Sequence, residues 1–372
     1  MCDDEGLACG VRGVYLRAPV RSGERSWLVL RRGSRSASGR PVREAAAMVA
    51  PLPTTPETKS PHRAGYVALC GRPNVGKSTL LNALVGAELA IASSQPQTTR
   101  QRLLGMWSTD EIQAILVDTP GIHRARSALN RYMVDEAVRG ASDVDLVLFL
   151  AEAPVLADQT TAEAWTPGEG ALAALEAVAG LRAPIALVIT KVDRIAERSL
   201  LLPVIAKLSR LHDFAAVLPV AATTGEGMEA LRAEITRHLP EGPALYDPEQ
   251  LSDRDLRWHA GERVREAIFR FLGEELPYSC AVTVESYREQ QRPPKDIVRA
   301  TVHVERESQK PMVIGKGGQT IRKISSTARE AFAAFTGRAC DLFLTVKVTR
   351  NWTREPELMK KLGYHQPVGG DS

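Results

Sequence analysis

The stretch "YVALCGRPNVGKSTLLNALVG", Tyr66 to Gly86, decides the fold. It reads as a short apolar run, a glycine-rich loop, then Leu80, Leu81, Leu84 and Val85 at helical spacing. Within it "GRPNVGKS", Gly71 to Ser78, fits G-x-x-x-x-G-K-[ST] between a strand and a helix, the context a phosphate loop requires. Gly71 and Gly76 permit backbone angles and a close approach that a Cβ would block. The loop Gly71, Arg72, Pro73, Asn74, Val75, Gly76, Lys77, Ser78 and Thr79 is therefore expected to wrap phosphates. Free N–H groups at the helix start would cradle the oxygens. Lys77 would reach the β- and γ-phosphates, and the Ser78 hydroxyl would bind Mg²⁺.

Working outward, "IQAILVDT", "DLVLFL", "PIALVIT" and "AVLPVAA" are further strand-like runs with helical segments between most of them. That alternation predicts an α/β domain, a mostly parallel sheet with helices on both faces. Asp118 ends one run, in "ILVDTPG", where a Mg²⁺-side carboxylate belongs, although a turn-capping Asp would look the same. Thr119, Pro120 and Gly121 follow, and the Gly121 N–H is placed to meet a γ-phosphate. In "SQPQTTRQR", Thr98 or Thr99 would close over Mg²⁺ and the γ-phosphate as a switch, though a plain polar loop reads alike. Catalytic expectations thus rest on Lys77, Thr98, Thr99 and Gly121.

In "VITKVD", Asp193 would accept two hydrogen bonds from the N1–H and exocyclic amine of guanine. Adenine lacks that donor pair, and a site built around such bonds rejects the wrong partner strongly. Thr190 precedes, and the Lys191 stem would lie against the base plane. Ala221 and Ala222 sit in the small-residue loop "VAATTGEG", where the Ala222 backbone would meet the guanine O6. This ordered set is a GTPase signature. An ATPase or small-molecule kinase on the same loop is the competitor, and Asp193 argues against both.

The totals fit two or three globular domains: 372 residues, 44 % hydrophobic and 25 % charged. The net charge of +4 is uneven, with residues 1–62 at +4, 63–250 at −5 and 251–372 at +5. A basic last third suits a polyanionic partner. The five cysteines, Cys2, Cys9, Cys70, Cys280 and Cys340, form no C-x-x-C pair, which fits a reduced, intracellular, cytoplasmic protein. Cys70 reads as an inert buried thiol. Residues 1–62 lack periodicity and are rich in Arg, Ser, Gly and Pro. They read as a disordered extension, as upstream sequence before a true start at Met48, or as a targeting peptide, against which "MCDDEG" speaks. The stretch 239–250, with three prolines and a glycine, reads as a linker. The last third gives a helix over about 254–272 with Val264, Ile268 and Phe271 on one face, two strands, a glycine loop, a helix over about 319–335 and a last strand.

From about Gly65 to Tyr364 the chain resembles the Era family, bacterial ribosome-assembly GTPases. The stretches that carry this include "PQTTRQR", "DTPGIH", "FLGEELPYS", "VIGKGGQTIRKI" and "VKVTRNWTREPELMKKLGY". The resemblance implies a GTPase domain over 63–240, a linker over 241–253, an α+β type II KH domain over 254–364 and a tail over 365–372. It implies GTP or GDP with Mg²⁺, and K⁺ beside Asn74. The implied partner is small-subunit ribosomal RNA near its 3′ end on the 30S subunit, bound by a monomer. Peripheral membrane association of the tail belongs to the family too, but no strong amphipathic insertion helix is visible here. The residue pattern of the tail agrees with a KH module, with G-x-x-G between helices. Ile314, Gly315, Lys316, Gly317, Gly318, Ile321, Arg322 and Lys323 are the expected RNA residues: glycines for close approach, cations for phosphate and isoleucines beneath the bases. A glycine-rich turn between core helices is the bland alternative. Trp352 is expected either to stack on RNA or to lie in the core.

Three departures from the family pattern stand out. Thr190 replaces the usual Asn, predicting weaker nucleotide binding with guanine preference kept. Ala221 replaces Ser. Residues 151–170 read as a surface insertion. Ile122 stands where Ras-like enzymes carry the water-orienting Gln, which predicts slow intrinsic turnover. Two functions remain in view: a GTP-hydrolysing switch on small-subunit RNA, and an RNA scaffold whose nucleotide site barely turns over. A metabolic kinase would leave the tail idle.

Overall fold

The computed structural model describes residues 14–15, 61–93, 95, 98–122 and 128–364. The expectations for residues 1–60 (apart from 14–15) and 365–372, and those touching Ser94, Pro96, Gln97 and His123, lie outside the described residues.

Along the first domain run β1 (Val14–Tyr15), β2 (Arg63–Cys70), α1 (Lys77–Val85), β3 (Leu103–Ser108), β4 (Ile112–Asp118), α2 (Ala128–Gly140), β5 (Leu146–Glu152), α3 (Gln159–Ala164), α4 (Glu169–Ala179), β6 (Ile185–Thr190), α5 (Leu201–Leu208), β7 (Ala216–Val220), α6 (Met228–His238) and β8 (Gln250–Ser252). The sheet order is β1-β8-β3-β4-β2-β5-β6-β7. Strands β4, β2, β5, β6 and β7 pair in parallel. The antiparallel members are β3, β8 and β1. β3 escaped the sequence reading because Gly105 interrupts a short apolar run.

The parallel strands are buried on both faces, so their sequences are almost wholly apolar. Alternate side chains feed two cores. Val67 and Leu69 of β2 join α1 and α6, while Ala68 and Cys70 join α4 and α5. Burial pushes the Cys70 thiol up to about 12, as an inert thiol requires. The stretch 151–170 is only partly superficial: Val155 is exposed, but Asp158 caps α3, and Ala162 and Trp165 pack into the core.

The segment after α6 stays on the sheet. The Gln113 side chain binds the Leu245 and Tyr246 N–H groups and the Tyr246 carbonyl. The second domain follows with α7 (Leu256–Phe271), β9 (Ala281–Gln291), β10 (Pro294–Val304), α8 (Gln309–Ile314), α9 (Gln319–Thr336), β11 (Ala339–Val348) and α10 (Pro356–Lys361). Its sheet order is β11-β10-β9, with β10 and β11 parallel, the α-β-β-α-α-β arrangement of a type II KH domain. Val264 and Ile268 of α7 and Ile324 and Ala328 of α9 pack on Val302 and Val304 of β10. Phe271, expected inside, is 36 % exposed; Phe269 is the buried ring.

Candidate functional site

The carboxyl ends of the parallel strands converge, where ligands bind in such sheets. Gly71 follows β2, Asp118 ends β4, Glu152 ends β5 and Thr190 ends β6. Together with the small-residue loop after β7 they surround a cavity of about 770 Å³. Arg72, Pro73, Asn74, Gly76, Lys77, Ser78, Thr79, Thr98, Thr99, Gly121, Thr190, Lys191, Asp193 and Ala222 all line it. Gly71, Val75, Thr119, Pro120 and Ala221 support it from behind; Val75, Thr119 and Ala221 are fully buried.

Backbone geometry explains the glycines. Gly71 has φ of 146°, and a Cβ there would lie 2.6 Å from the Leu150 carbonyl. A Cβ on Gly121 would meet the Pro73 backbone at 2.6 Å, so the D-T-P-G segment rests directly on the phosphate loop. Lys77 folds over the loop, its Nζ donating to the carbonyls of Gly71 and Arg72 at 3.2 and 3.0 Å. Burial lowers its ammonium below the usual lysine range.

The metal side is built from three oxygens. Ser78 Oγ and Thr99 Oγ1 lie 2.9 Å apart and donate to Asp118 Oδ2 at 2.9 and 3.0 Å. Asp118 Oδ1 is buried without a hydrogen-bond partner. Burial raises the Asp118 carboxyl against the pull of Lys77. An orphaned carboxylate oxygen among hydroxyls is an oxygen-donor set that suits Mg²⁺ with phosphates completing the shell. Of the two threonines left open by the sequence, Thr99 carries the hydroxyl in this cluster.

On the base side, Thr190 Oγ1 donates to the Val75 carbonyl at 2.6 Å. Lys191, at φ of 59°, reaches the Asn74 carbonyl at 2.7 Å. Sequence reading missed Glu152. Its carboxylate joins Lys191, Arg194 and Arg72 at 2.9, 3.0 and 3.0 Å, tying the segment after β6 to the loop after β2. The available signal was an acid ending an apolar strand.

In the second domain Gly315, Gly317 and Gly318 all have positive φ, and Gly317 has open space where a Cβ would go. Lys316, Gly317, Arg322 and Lys323 are exposed, while Ile314 and Ile321 are half-buried beside them. Trp352 is fully buried, so it is core and its ring is closed to RNA.

Family models match at residues 66–191, described as a 50S ribosome-binding GTPase, and at 275–353, described as a KH domain. GTPase Era of Geobacter metallireducens is 40 % identical over 305 residues, covering 82 % of this chain and 99 % of that protein. This chain belongs to the Era family of GTPases. GTPase Era of Lactobacillus helveticus is 39 % identical, covering 81 % and 96 %. Two solved Era structures superpose with TM-scores of 0.75 at 33 % and 34 % identity, each covering 82 % of this chain and 100 % of the other. One is an Aquifex aeolicus Era variant bound to GDP·AlF4⁻; the other is a complex with MgGDPNP and nucleotides 1506–1542 of 16S ribosomal RNA. No helix among the described residues is long and apolar enough to cross a membrane.

The two domains of this chain meet at the segment Thr98–Gln101. Arg100, 3 % exposed, donates to the carbonyls of Cys280, Pro277 and Tyr278 at 2.8, 3.1 and 3.1 Å and to the Tyr364 hydroxyl at 3.2 Å. Its guanidinium also lies over the Trp352 and Tyr364 rings. The neighbouring Gln101 donates to the Gly363 carbonyl at 2.6 Å. After the D-T-P-G segment, Leu129, Tyr132 and Met133 of α2 pack on Trp352, Met359 and Tyr364.

Proposed function

We propose that this GTPase uses its nucleotide state to time a grip on small-subunit ribosomal RNA near the 3′ end, assisting 30S maturation. The carrying observation is that Thr98–Arg100, which borders the Mg²⁺ side of the nucleotide cavity, is bonded into the KH domain. A γ-phosphate that orders this segment, and whose loss releases it, acts on both domains at once. The KH glycine loop holds the sugar-phosphate backbone, with Lys316, Arg322 and Lys323 meeting phosphates and Ile314 and Ile321 under the bases. In hydrolysis the phosphate loop and Lys77 hold the triphosphate, Asp193 selects guanine, and the Gly121 N–H meets the γ-phosphate. Mg²⁺ bound at Ser78, Thr99 and Asp118 supplies neutralising charge for the phosphates. Ile122 is 4 % exposed and carries no polar atom to orient water, so unstimulated turnover is expected to be slow. Potassium beside Asn74 is part of this reading; equal rates in K⁺ and Na⁺ remove it.

The test is GTP hydrolysis with and without an RNA oligonucleotide copying the ribosomal 3′ end, alongside Gly317→Asp. Stimulation by RNA that the variant loses supports the reading. Hydrolysis indifferent to RNA, or a variant that responds like the parent, gives the lead to an RNA scaffold with an uncoupled nucleotide site.

A further inference from the structure

Arg265 stands on α7 of the KH domain, yet its guanidinium ends at the nucleotide switch. It is 4 % exposed, and its Nη2 donates to the Thr98 carbonyl. Glu262, one turn earlier on the same helix, fixes the side chain with a two-point pair: Nε to Oε1 at 2.8 Å and Nη2 to Oε2 at 2.5 Å. Phe269 lies beneath the guanidinium, whose centre is 5.7 Å from the ring centroid. Nη1 is buried with no hydrogen-bond partner. A desolvated guanidinium with one nitrogen unsatisfied is costly, and helix packing alone does not call for it.

The residue after Thr98 is Thr99, whose hydroxyl lies 3.0 Å from Asp118 Oδ2 and 2.9 Å from Ser78 Oγ. Fixing the Thr98 carbonyl fixes the peptide that sets where the Thr99 hydroxyl points. Arg100 is anchored in the KH domain on the other side of Thr99. The threonine is thus held between two arginine contacts, one reaching in from the KH domain and one reaching out to it.

We infer that Arg265 is a positioning residue for GTP hydrolysis: it places the Thr99 hydroxyl at the Mg²⁺ and γ-phosphate through the Thr98 carbonyl, with Glu262 holding it in register. The KH domain then supplies part of the hydrolytic apparatus. This inference rests on reading Thr99 as the magnesium-side hydroxyl. GDP, which has no γ-phosphate to engage, should be held as before, whereas the GTP state loses its preorganised oxygen.

The experiment uses the full chain with Arg265→Met, Arg265→Lys, Glu262→Gln and Thr99→Ala. Single-turnover hydrolysis, the Mg²⁺ concentration for half-maximal rate, GDP affinity and nucleotide-free RNA affinity are measured for each. Arg265→Met is expected to slow hydrolysis about 10- to 100-fold and to raise the Mg²⁺ requirement, with GDP and RNA affinities unchanged. Lys at 265 restores part of the rate by keeping one donor, and Glu262→Gln moves the same way by a smaller factor. A normal rate and Mg²⁺ requirement in a folded Arg265→Met overturns the inference, as does an equal fall in GDP and GTP binding. If Arg265→Met does not fold, Glu262→Gln decides by the same two readouts. If Thr99→Ala itself hydrolyses GTP normally, the reading of Thr99 fails; if only Thr99→Ala is impaired, Arg265 alone is excluded.

Discussion

Thr190 Oγ1 donates to the Val75 carbonyl at 2.6 Å, joining two loops separated by 115 residues in sequence. The contact ties the end of β6 to the glycine-rich loop after β2. Gly76 is the neighbour of Thr190: a Cβ built there would lie 3.9 Å from the Thr190 Cβ. Thr190→Val keeps the shape and deletes the donor, leaving a buried carbonyl without it. The expected loss is about 1–3 kcal/mol, or roughly 5- to 150-fold in GDP affinity. Titration with a fluorescent GDP analogue measures it. The ratio of GDP to ADP affinity should be unchanged, since Thr190 does not read the base.

Base choice is expected to follow Asp193 alone. Asp193→Asn exchanges a carboxylate acceptor for an amide that also donates. Guanine, with two donors facing it, then loses a partner, while xanthine, with a carbonyl in place of the amine, gains one. Hydrolysis assays should show GTP turnover falling and XTP turnover rising. Retained preference for GTP would move base reading elsewhere in the cavity.

Removing the Arg100 side chain should uncouple the two domains. Arg100→Ala strips donors from the Cys280, Pro277 and Tyr278 carbonyls and leaves space beside Trp352. A cost of about 2–4 kcal/mol is expected. Urea unfolding, followed by separate probes of each domain, should change from coincident transitions to two distinct ones. Coincident transitions in the variant would mean the domains are joined mainly by the apolar cluster around α2.

His259 gives the fold an acid-sensitive seam. It is fully buried between Trp258 and Phe335, with neither ring nitrogen hydrogen-bonded. Burial, with Arg263 and Arg254 nearby, lowers it from 6.5 to about 3. Between those values the unfolded chain takes a proton that the folded chain refuses, so this residue removes stability as pH falls from about 6.5 towards 3. His259→Phe should flatten that limb of the stability profile while matching the parent more closely at pH 8. Denaturant midpoints from pH 4 to pH 8 give the comparison, and parallel profiles would refute it.

Much of the nucleotide site was legible because its residues are local to strand ends. Gly71, Lys77, Asp118 and Asp193 each follow an apolar run, and spacing alone aligns them. The KH loop was legible because its glycines fall together in one short run between two helices. Arg100 and Arg265 were not, because their meaning lies in partners 177–180 and 167 residues away. An Arg in a polar segment and an Arg on an amphipathic helix read as solvated until the chain folds them together. Phe271 misled for a subtler reason: positions 269 and 271 lie about 200° apart on a helix, so choosing one ring as core excludes the other. The 239–250 stretch carried the composition of a linker. Its backbone groups are nonetheless bonded by Gln113, which no turn pattern reveals.

The contacts of Gly363 and Tyr364 with Gln101 and Arg100 impose an order on how the protein comes into being. Synthesis delivers the phosphate-loop domain early, and domains tend to fold as they emerge. The segment Thr98–Gln101 still waits, for the last of its anchors, on a turn made 262 to 264 residues later. A nascent chain can therefore hold the whole cavity lining before the Thr98–Gln101 segment has all of its contacts. Any product cut short before Trp352 would keep the ties of this segment to Arg265 and to residues 277–280 but lack those to Gly363 and Tyr364, leaving it less firmly held than in the full chain.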